Sequence, residues 1–245
     1  PERPDVCIGT AEHLLAALAG CGVHNVLIEV DGPEIPIVDG SASSFVFLID
    51  CAGTVEQGER AGAIEVIRPV RVALGDASAA LLPGGPGFEM TMTIDFDAAA
   101  IGTQTLSMVL SPAAFRSRLS SARTFTLASE IDTLRKSGLA RGGSLENAIV
   151  VDGDRVLNPG GLRSDDEFVR HKMLDAVGDL SLAGVTIHGR FVGSRSGHAL
   201  NNQLLRALFA HHANWAPLPG DSALIGGAAM SSWQDRRIPI AASPL

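Results

Sequence analysis

Basic residues are scarce in this sequence: 19 Lys and Arg stand against 27 Asp and Glu, a formal net charge of -8. A nucleic-acid binder usually carries a basic footprint, so that class of partner is not expected. No apolar run approaches the ~20 residues needed to span a bilayer. The stretch Leu14–Val23 is short and is interrupted by Gly20 and Gly22. Cysteine is limited to Cys7, Cys21 and Cys51, with no CxxC spacing. Free thiols in a reducing compartment, the cytoplasm, are therefore expected. Pro1–Asp5 has neither a basic n-region nor an apolar h-region, so a secretory signal is not expected either. Low-complexity tracts and sequence repeats are also lacking.

What is present suits a packed core. Of 245 residues 46% are hydrophobic and 19% charged, which argues against disorder. The length fits one large domain or two small ones. Thr10 followed by AEHLLAALAG reads as a helix with Thr10 as its cap, Glu12 suited to the positive end and Gly20 as the stop. Val23–Val30 reads as a strand and Ala42–Cys51 as a second helix. The polar stretch Gly53–Ala63 is the expected boundary, dividing the chain into 1–60 and 61–245. Beyond it, Ala63–Val72, Ser78–Leu82, Phe88–Phe96 and Thr105–Leu110 read as strands. Thr91, Thr93 and Asp95 alternate there with Met92, Ile94 and Phe96, the period of a half-buried strand. Pro112–Leu119 and Ala128–Ser137 read as helices, and Ala148–Val151 and Val156–Leu157 as short strands. Asp165–Leu180 is the best-defined helix, with Ser164 and Glu167 at capping-box spacing. Val185–Val192 is an expected strand, Ala199–His211 a last helix, and the tail from Asn214 is expected to be loosely ordered. Both halves mix strands and helices in an α+β manner.

Opposite the apolar stripe of the Asp165–Leu180 helix stand His171, Asp175 and Asp179, each four residues apart. That spacing places them on one face, where a His and a carboxylate can share a metal ion. A solvated polar face with a weak His–Asp pair has the same spacing. Glu12-His13 can divide labour as base and ligand at one zinc, or can simply begin a helix. His198, in the turn Ser196-Gly197-His198, is a candidate proton donor or a turn histidine. The Thr124 hydroxyl can steady an oxyanion and the Phe125 ring can stack on a ligand, or both can be ordinary strand residues. Lys172 can meet an anionic transition state or solvate a surface. His24 and His188 border apolar strands and read as structural, while His211 and His212 end a helix. Together these residues fit a metallohydrolase cleaving an amide or ester: two His and one Asp as ligands, a Glu base and a His acid.

The motifs TAEHLLAALAG, IEVDGPEIPIVDGSASSFVFLI, SARTF, GGSLENAIVVD, DEFVRHKMLDAVGDL and SGHALNN run in order from about Asp5 to His212. This pattern resembles the UDP-3-O-acyl-N-acetylglucosamine deacetylase family, zinc amidases of lipid A biosynthesis. The resemblance implies His13, His171 and Asp175 as metal ligands and Glu12 as the general base. It implies His198 as the protonated histidine at the oxyanion and leaving amine, oriented by Asp179. Thr124 would stand near the oxyanion, with Lys172 and Phe125 lining the substrate site. The implied fold is α+β, two similar domains, each a mixed sheet packed with helices, with the active site between them. An insert forming an acyl passage would lie near 142–157. The implied metal is Zn2+, with Fe2+ also suited to a His₂Asp set. The implied partner is UDP-3-O-acyl-N-acetylglucosamine, and the implied state a cytoplasmic monomer without nucleic acid or a membrane span. Relative to the family pattern, a segment before the TAEHLL helix is expected to be missing, leaving the first domain short. Phe96-Asp97-Ala98-Ala99 replaces a Phe-His-Pro pattern, no basic residue stands near Ala77, and Thr126 replaces a glycine. Two alternatives stay open: a metal- and substrate-binding remnant without turnover, and a zinc hydrolase with a shifted substrate.

Overall fold

The computed structural model describes residues 7–136 and 142–219. The fold is mixed α and β, built on two sheets. The larger sheet contains β1 (Ala63–Val66), β2 (Val70–Leu74), β3 (Ala77–Leu82), β4 (Phe88–Asp95), β5 (Thr103–Leu110), β9 (Thr186–Ser194) and β10 (Trp215–Pro217). The smaller is β6 (Phe125–Leu127), β7 (Ile149–Asp152) and β8 (Arg155–Val156). The central strand of the larger sheet is β9. Its first residues pair in parallel with β1, and from Gly189 onward it lies between antiparallel β3 and parallel β4. Gly189 is required at that change of partners: its φ is +145°, and a Cβ would stand 2.8 Å from the Leu82 carbonyl oxygen.

The period-2 reading of β4 holds. Phe88, Met90, Met92 and Ile94 are buried, while Thr91 and Thr93 bond across to Ser107 and Thr105 of β5 at 2.9 Å. The expected single strand Ala63–Val72 is two strands instead. It breaks around Pro69, which has no N–H for a ladder. Residues 215–217, expected to be loose, form β10 on the edge of β1, and Trp215 is buried there. Residues from 220 onward lie outside the described residues.

The helices are α1 (Glu12–Cys21), α2 (Ser43–Ala52), α3 (Pro112–Ala114), α4 (Ile131–Lys136), α5 (Glu167–Ser181) and α6 (His198–Phe209). A single π turn, Phe115–Leu119, continues α3, and a 3₁₀ turn, Ala128–Glu130, precedes α4. Ser137, the expected last residue of that helix, lies outside the described residues. The central helix is α5. Val169, Met173, Val177 and Leu180 are buried as the apolar stripe predicts, and so are His171, Asp175 and Asp179 opposite. The polar face is therefore inside the protein. The helix packs against α1, α6, β4 and β5.

Three local expectations differ. Thr10 does not cap α1; the N-cap is Ala11, and Thr10 (φ 54°) donates to Glu34 at 3.3 Å. Gly20 does not end α1 either. Gly22 does, in the left-handed conformation, while Gly20 admits the Phe115 ring where a Cβ would stand. Residues 23–30 form no strand ladder. The only bridge among the described residues before β1 joins Gly9 to Glu34. A strand needs a partner to satisfy its backbone, and without one Leu27 is 84% exposed and Val26 53%.

Candidate functional site

Two helices carry most of the site, and a glycine sets their separation. Gly178 of α5 lies against the backbone of Glu12 in α1, with the Glu12 carbonyl carbon 3.0 Å and its Cα 3.2 Å from where a Cβ would stand. This close approach brings His13, the second residue of α1, up to His171 and Asp175. The two imidazole rings meet edge to face with centroids 5.0 Å apart.

His13, His171 and Asp175 are all buried, and one potential ligand atom from each lies within 4.8 Å of the others. Asp175 Oδ1 stands 3.3 Å from His171 Nε2 and 3.8 Å from His13 Nε2. Neither contact is an ion pair at neutral pH. Burial, with His171 packed alongside, pushes His13 down to about 4. Burial also lowers His171, although Asp175 and the Ala122 carbonyl oppose it. Burial works against the charge on Asp175, but His171, Lys172, His198 and His13 outweigh it and hold the carboxyl well below its usual range. His171 Nδ1–H donates to the Ala122 carbonyl at 3.0 Å, which leaves Nε2 as a lone pair. Two neutral imidazoles thus face an ionised carboxylate oxygen. That oxygen and His13 Nδ1 are buried without a hydrogen-bond partner among the described residues. Unpaired buried polar atoms are costly. A His₂-carboxylate set arranged in this way could hold a divalent ion, and the residues fit one.

The second centre is the pair His198–Asp179. His198 opens α6, and its Nδ1 lies 2.9 and 3.0 Å from the two oxygens of Asp179. Asn201 donates to the same carboxylate at 2.8 Å. Burial opposes a charge on His198. The hydrogen bond to Asp179 and the charges of Asp175 and Asp179 prevail and raise it to about 9. The ring is therefore an imidazolium at neutral pH, and Nε2 is left for the pocket that His198 lines.

That pocket, about 170 Å³, brings together Glu12, Thr124, Phe125, Lys172 and His198 beside His171 and Asp175. Lys172 donates to Asp175 Oδ2 at 3.0 Å, so it braces a candidate ligand as well as lining the cavity. The Phe125 ring packs on Phe168 with centroids 4.9 Å apart and on Phe96 at 5.4 Å. The nine candidate site residues are thus near one another, seven lining the pocket and His13 and Asp179 reached through their neighbours. Sequence reasoning did not pick out Leu127 and Glu130 as further lining, the Ala122 carbonyl, or Asn201. A main-chain carbonyl has no residue signature. Asn201 had one: it stands three residues after His198, one helical turn along. His188, read as structural, accepts the Gly87 N–H at 3.3 Å.

Fold and site together define a class: a mixed α/β protein with a buried His₂Asp group able to hold a metal, facing a pocket with a charged histidine. The family model LpxC, described as UDP-3-O-acyl N-acetylglycosamine deacetylase, matches residues 3–210, and the chain belongs to this family. Among similar proteins, a UDP-3-O-acyl-N-acetylglucosamine deacetylase of Phenylobacterium zucineum (strain HLK1) is 53% identical over 210 residues, covering 86% of this chain and 71% of the relative. That of Shewanella frigidimarina (strain NCIMB 400) is 53% identical over 210 residues, covering 85% and 68%. That of Idiomarina loihiensis (strain ATCC BAA-735 / DSM 15497 / L2-TR) is 51% identical over 213 residues, covering 86% and 69%.

Proposed function

We propose that the chain is a zinc-dependent deacetylase acting on UDP-3-O-(3-hydroxyacyl)-N-acetylglucosamine. It hydrolyses the acetamide and releases acetate, a step of lipid A biosynthesis. The observation that carries the chemistry is the meeting of a buried His₂Asp set and a charged His–Asp pair at one pocket. Family membership supports the substrate. His13, His171 and Asp175 would hold the ion, Zn2+ or alternatively Fe2+. When bound, it supplies Lewis acidity and makes water nucleophilic at neutral pH.

The remaining steps belong to the chain's own residues. Glu12 takes a proton from the attacking water as it adds to the amide carbonyl. The Thr124 hydroxyl donates to the developing oxyanion, and the imidazolium of His198 adds its charge there. Collapse breaks the carbon–nitrogen bond, and His198 Nε2 gives its proton to the leaving amine. Asp179 keeps Nδ1 protonated throughout and sustains the charge. Lys172 holds Asp175 and offers a cation to the substrate, while Phe125 forms an apolar wall. The first domain is assigned to 1–60 and the second to 61–245, with residues near 142–157 beside the acyl chain. The protein acts in the cytoplasm as a monomer. No described helix is long and apolar enough to cross a membrane.

The test is acetate release from UDP-3-O-(3-hydroxymyristoyl)-N-acetylglucosamine, measured before and after chelation and zinc return. Zinc-dependent turnover, lost in Glu12→Ala and accompanied by loss of metal in His171→Ala, is expected. A folded, zinc-loaded chain without turnover would overturn the enzymatic reading in favour of a binding protein. Hydrolysis unaffected by competing UDP or free 3-hydroxy fatty acid would mean a different substrate.

A further inference from the structure

One buried charge outside the mechanism stands directly behind the site. Glu167 is the first residue of α5 and has no exposed surface. The expected capping box would have turned its side chain back toward Ser164. Instead Oε1 accepts from the Arg123 backbone N–H at 3.0 Å and from Arg123 Nε at 2.9 Å. Oε2 accepts from Arg123 Nη2 at 3.1 Å and from the Arg163 backbone N–H at 2.6 Å. Burial opposes its charge, but the bonds from Arg123 and Arg163 keep it ionised.

The segment it grips is 121–125. Arg123 Nη2 also donates to the Gly161 carbonyl at 2.8 Å. Arg163 reaches over the segment, donating to the Ser121 carbonyl at 2.8 Å and to Asp39 at 2.9 Å. Thr124 N–H bonds the Gly40 carbonyl at 2.7 Å, and the Thr124 carbonyl receives Ile149 N–H at 2.8 Å. The next residue on the near side of Arg123 is Ala122, whose carbonyl takes the Nδ1 proton of His171. Glu167 and His171 are one helical turn apart on α5. The segment is thus docked to that helix at two successive residues, Arg123 on Glu167 and Ala122 on His171.

We propose that Glu167 and Arg123 form a positioning clamp that sets the Ala122 carbonyl against His171 and the Thr124 hydroxyl in the pocket, and so governs metal affinity and turnover without touching metal or substrate. A buried ion pair is weak evidence for a stability role, because apolar residues of similar volume often serve as well. This pair offers directional fixation of a short loop that carries one carbonyl and one hydroxyl of the site. Partners behind a metal-ligating histidine set its orientation and the basicity of the nitrogen that binds.

The clamp rests on the metal reading given above, and the experiment separates the two. Co2+ is titrated into the full chain with its visible absorption recorded, and Zn2+ affinity is measured by chelator competition. Variants are Glu167→Gln and Arg123→Lys, with Ile64→Ala in β1 as a destabilised control outside the clamp. Thermal melting of the metal-free proteins is followed in parallel, and measurements are made well below each transition. The clamp predicts that Glu167→Gln weakens Zn2+ binding about 10-fold or more, alters the Co2+ spectrum and lowers kcat more than it raises KM. Arg123→Lys, which cannot hold Glu167 and Gly161 together, loses affinity in the same direction. The control melts lower and binds metal as the unaltered chain does. Wild-type affinity and spectrum in a folded Glu167→Gln protein overturn the clamp. If that variant does not fold, the same result in Arg123→Lys overturns it. Failure of the unaltered chain to bind either ion overturns the metal reading, and the clamp with it.

Discussion

Replacing Gly178 by alanine sets two effects of opposite sign against each other. In a helix interior alanine is favoured over glycine by about 1 kcal/mol, so propensity alone predicts a more stable protein. The packing predicts the reverse. A Cβ at Gly178 would stand 3.0 Å from the carbonyl carbon of Glu12 and 3.2 Å from its Cα, with the carbonyl oxygen nearer still. These are backbone atoms of α1 and cannot rotate away, so the helix has to retreat by about 1 Å to reach ordinary contact. Overpacking of this kind costs about 1–3 kcal/mol, and rigid neighbours place it at the upper end. The net expectation is a loss of about 1–2 kcal/mol, or about 5 °C in melting temperature for a chain of this size. The retreat also carries His13 away from His171 and Asp175. Zn2+ affinity should fall about 10-fold and kcat/KM about 100-fold, as ångström-scale misplacement of reacting groups does. Thermal melting, chelator competition and acetate release check the three figures. A Gly178→Ala protein at least as stable as the unaltered chain would refute the packing argument. Lower stability with unchanged metal affinity would refute its transmission to His13.

Other consequences follow from the site's electrostatics. Chelation would strip any ion held by Asp175 Oδ1 and the two imidazoles. With free zinc at a thousand times its dissociation constant, metal should stabilise the chain by about 4 kcal/mol, or on the order of 10 °C in melting temperature. Equal melting with zinc and with chelator would show that these three residues hold nothing. His198 is raised from 6.5 to about 9, so its stabilising contribution is full below about 6.5 and fades as pH rises through about 9. The alkaline limb of kcat/KM should lie in that upper range. Asp179→Asn should move it down by about a unit or more, since the Asp179 bond and charge do much of the raising. An unmoved limb in that variant would detach His198 from the profile.

Much of the site was legible because its chemistry follows helical spacing. His171, Asp175 and Asp179 recur every four residues, and a stiff helix carries that period directly into a shared face. Whether the face met solvent or protein was not legible, because the spacing of an exposed i,i+4 pair is identical. The partners α1 and α6, from elsewhere in the chain, decide it. The same limit explains the misread ends. Ser164 and Glu167 have capping-box spacing, yet the Glu167 carboxylate is taken by Arg123, 44 residues earlier in the chain. Gly20 has the look of a helix stop, yet its missing side chain serves the Phe115 ring. Residues 23–30 read as a strand, and a strand exists only where another backbone meets it. For Glu167 and Gly20 a distant segment decides how the residue is used, and for 23–30 no segment among the described residues supplies a partner. For function this matters most at Ala122 and Gly178. One acts through a carbonyl and the other through the absence of a side chain. Neither belongs to the residue types that announce catalysis, yet the separation of His13 from His171, and the lone pair His171 presents, depend on them.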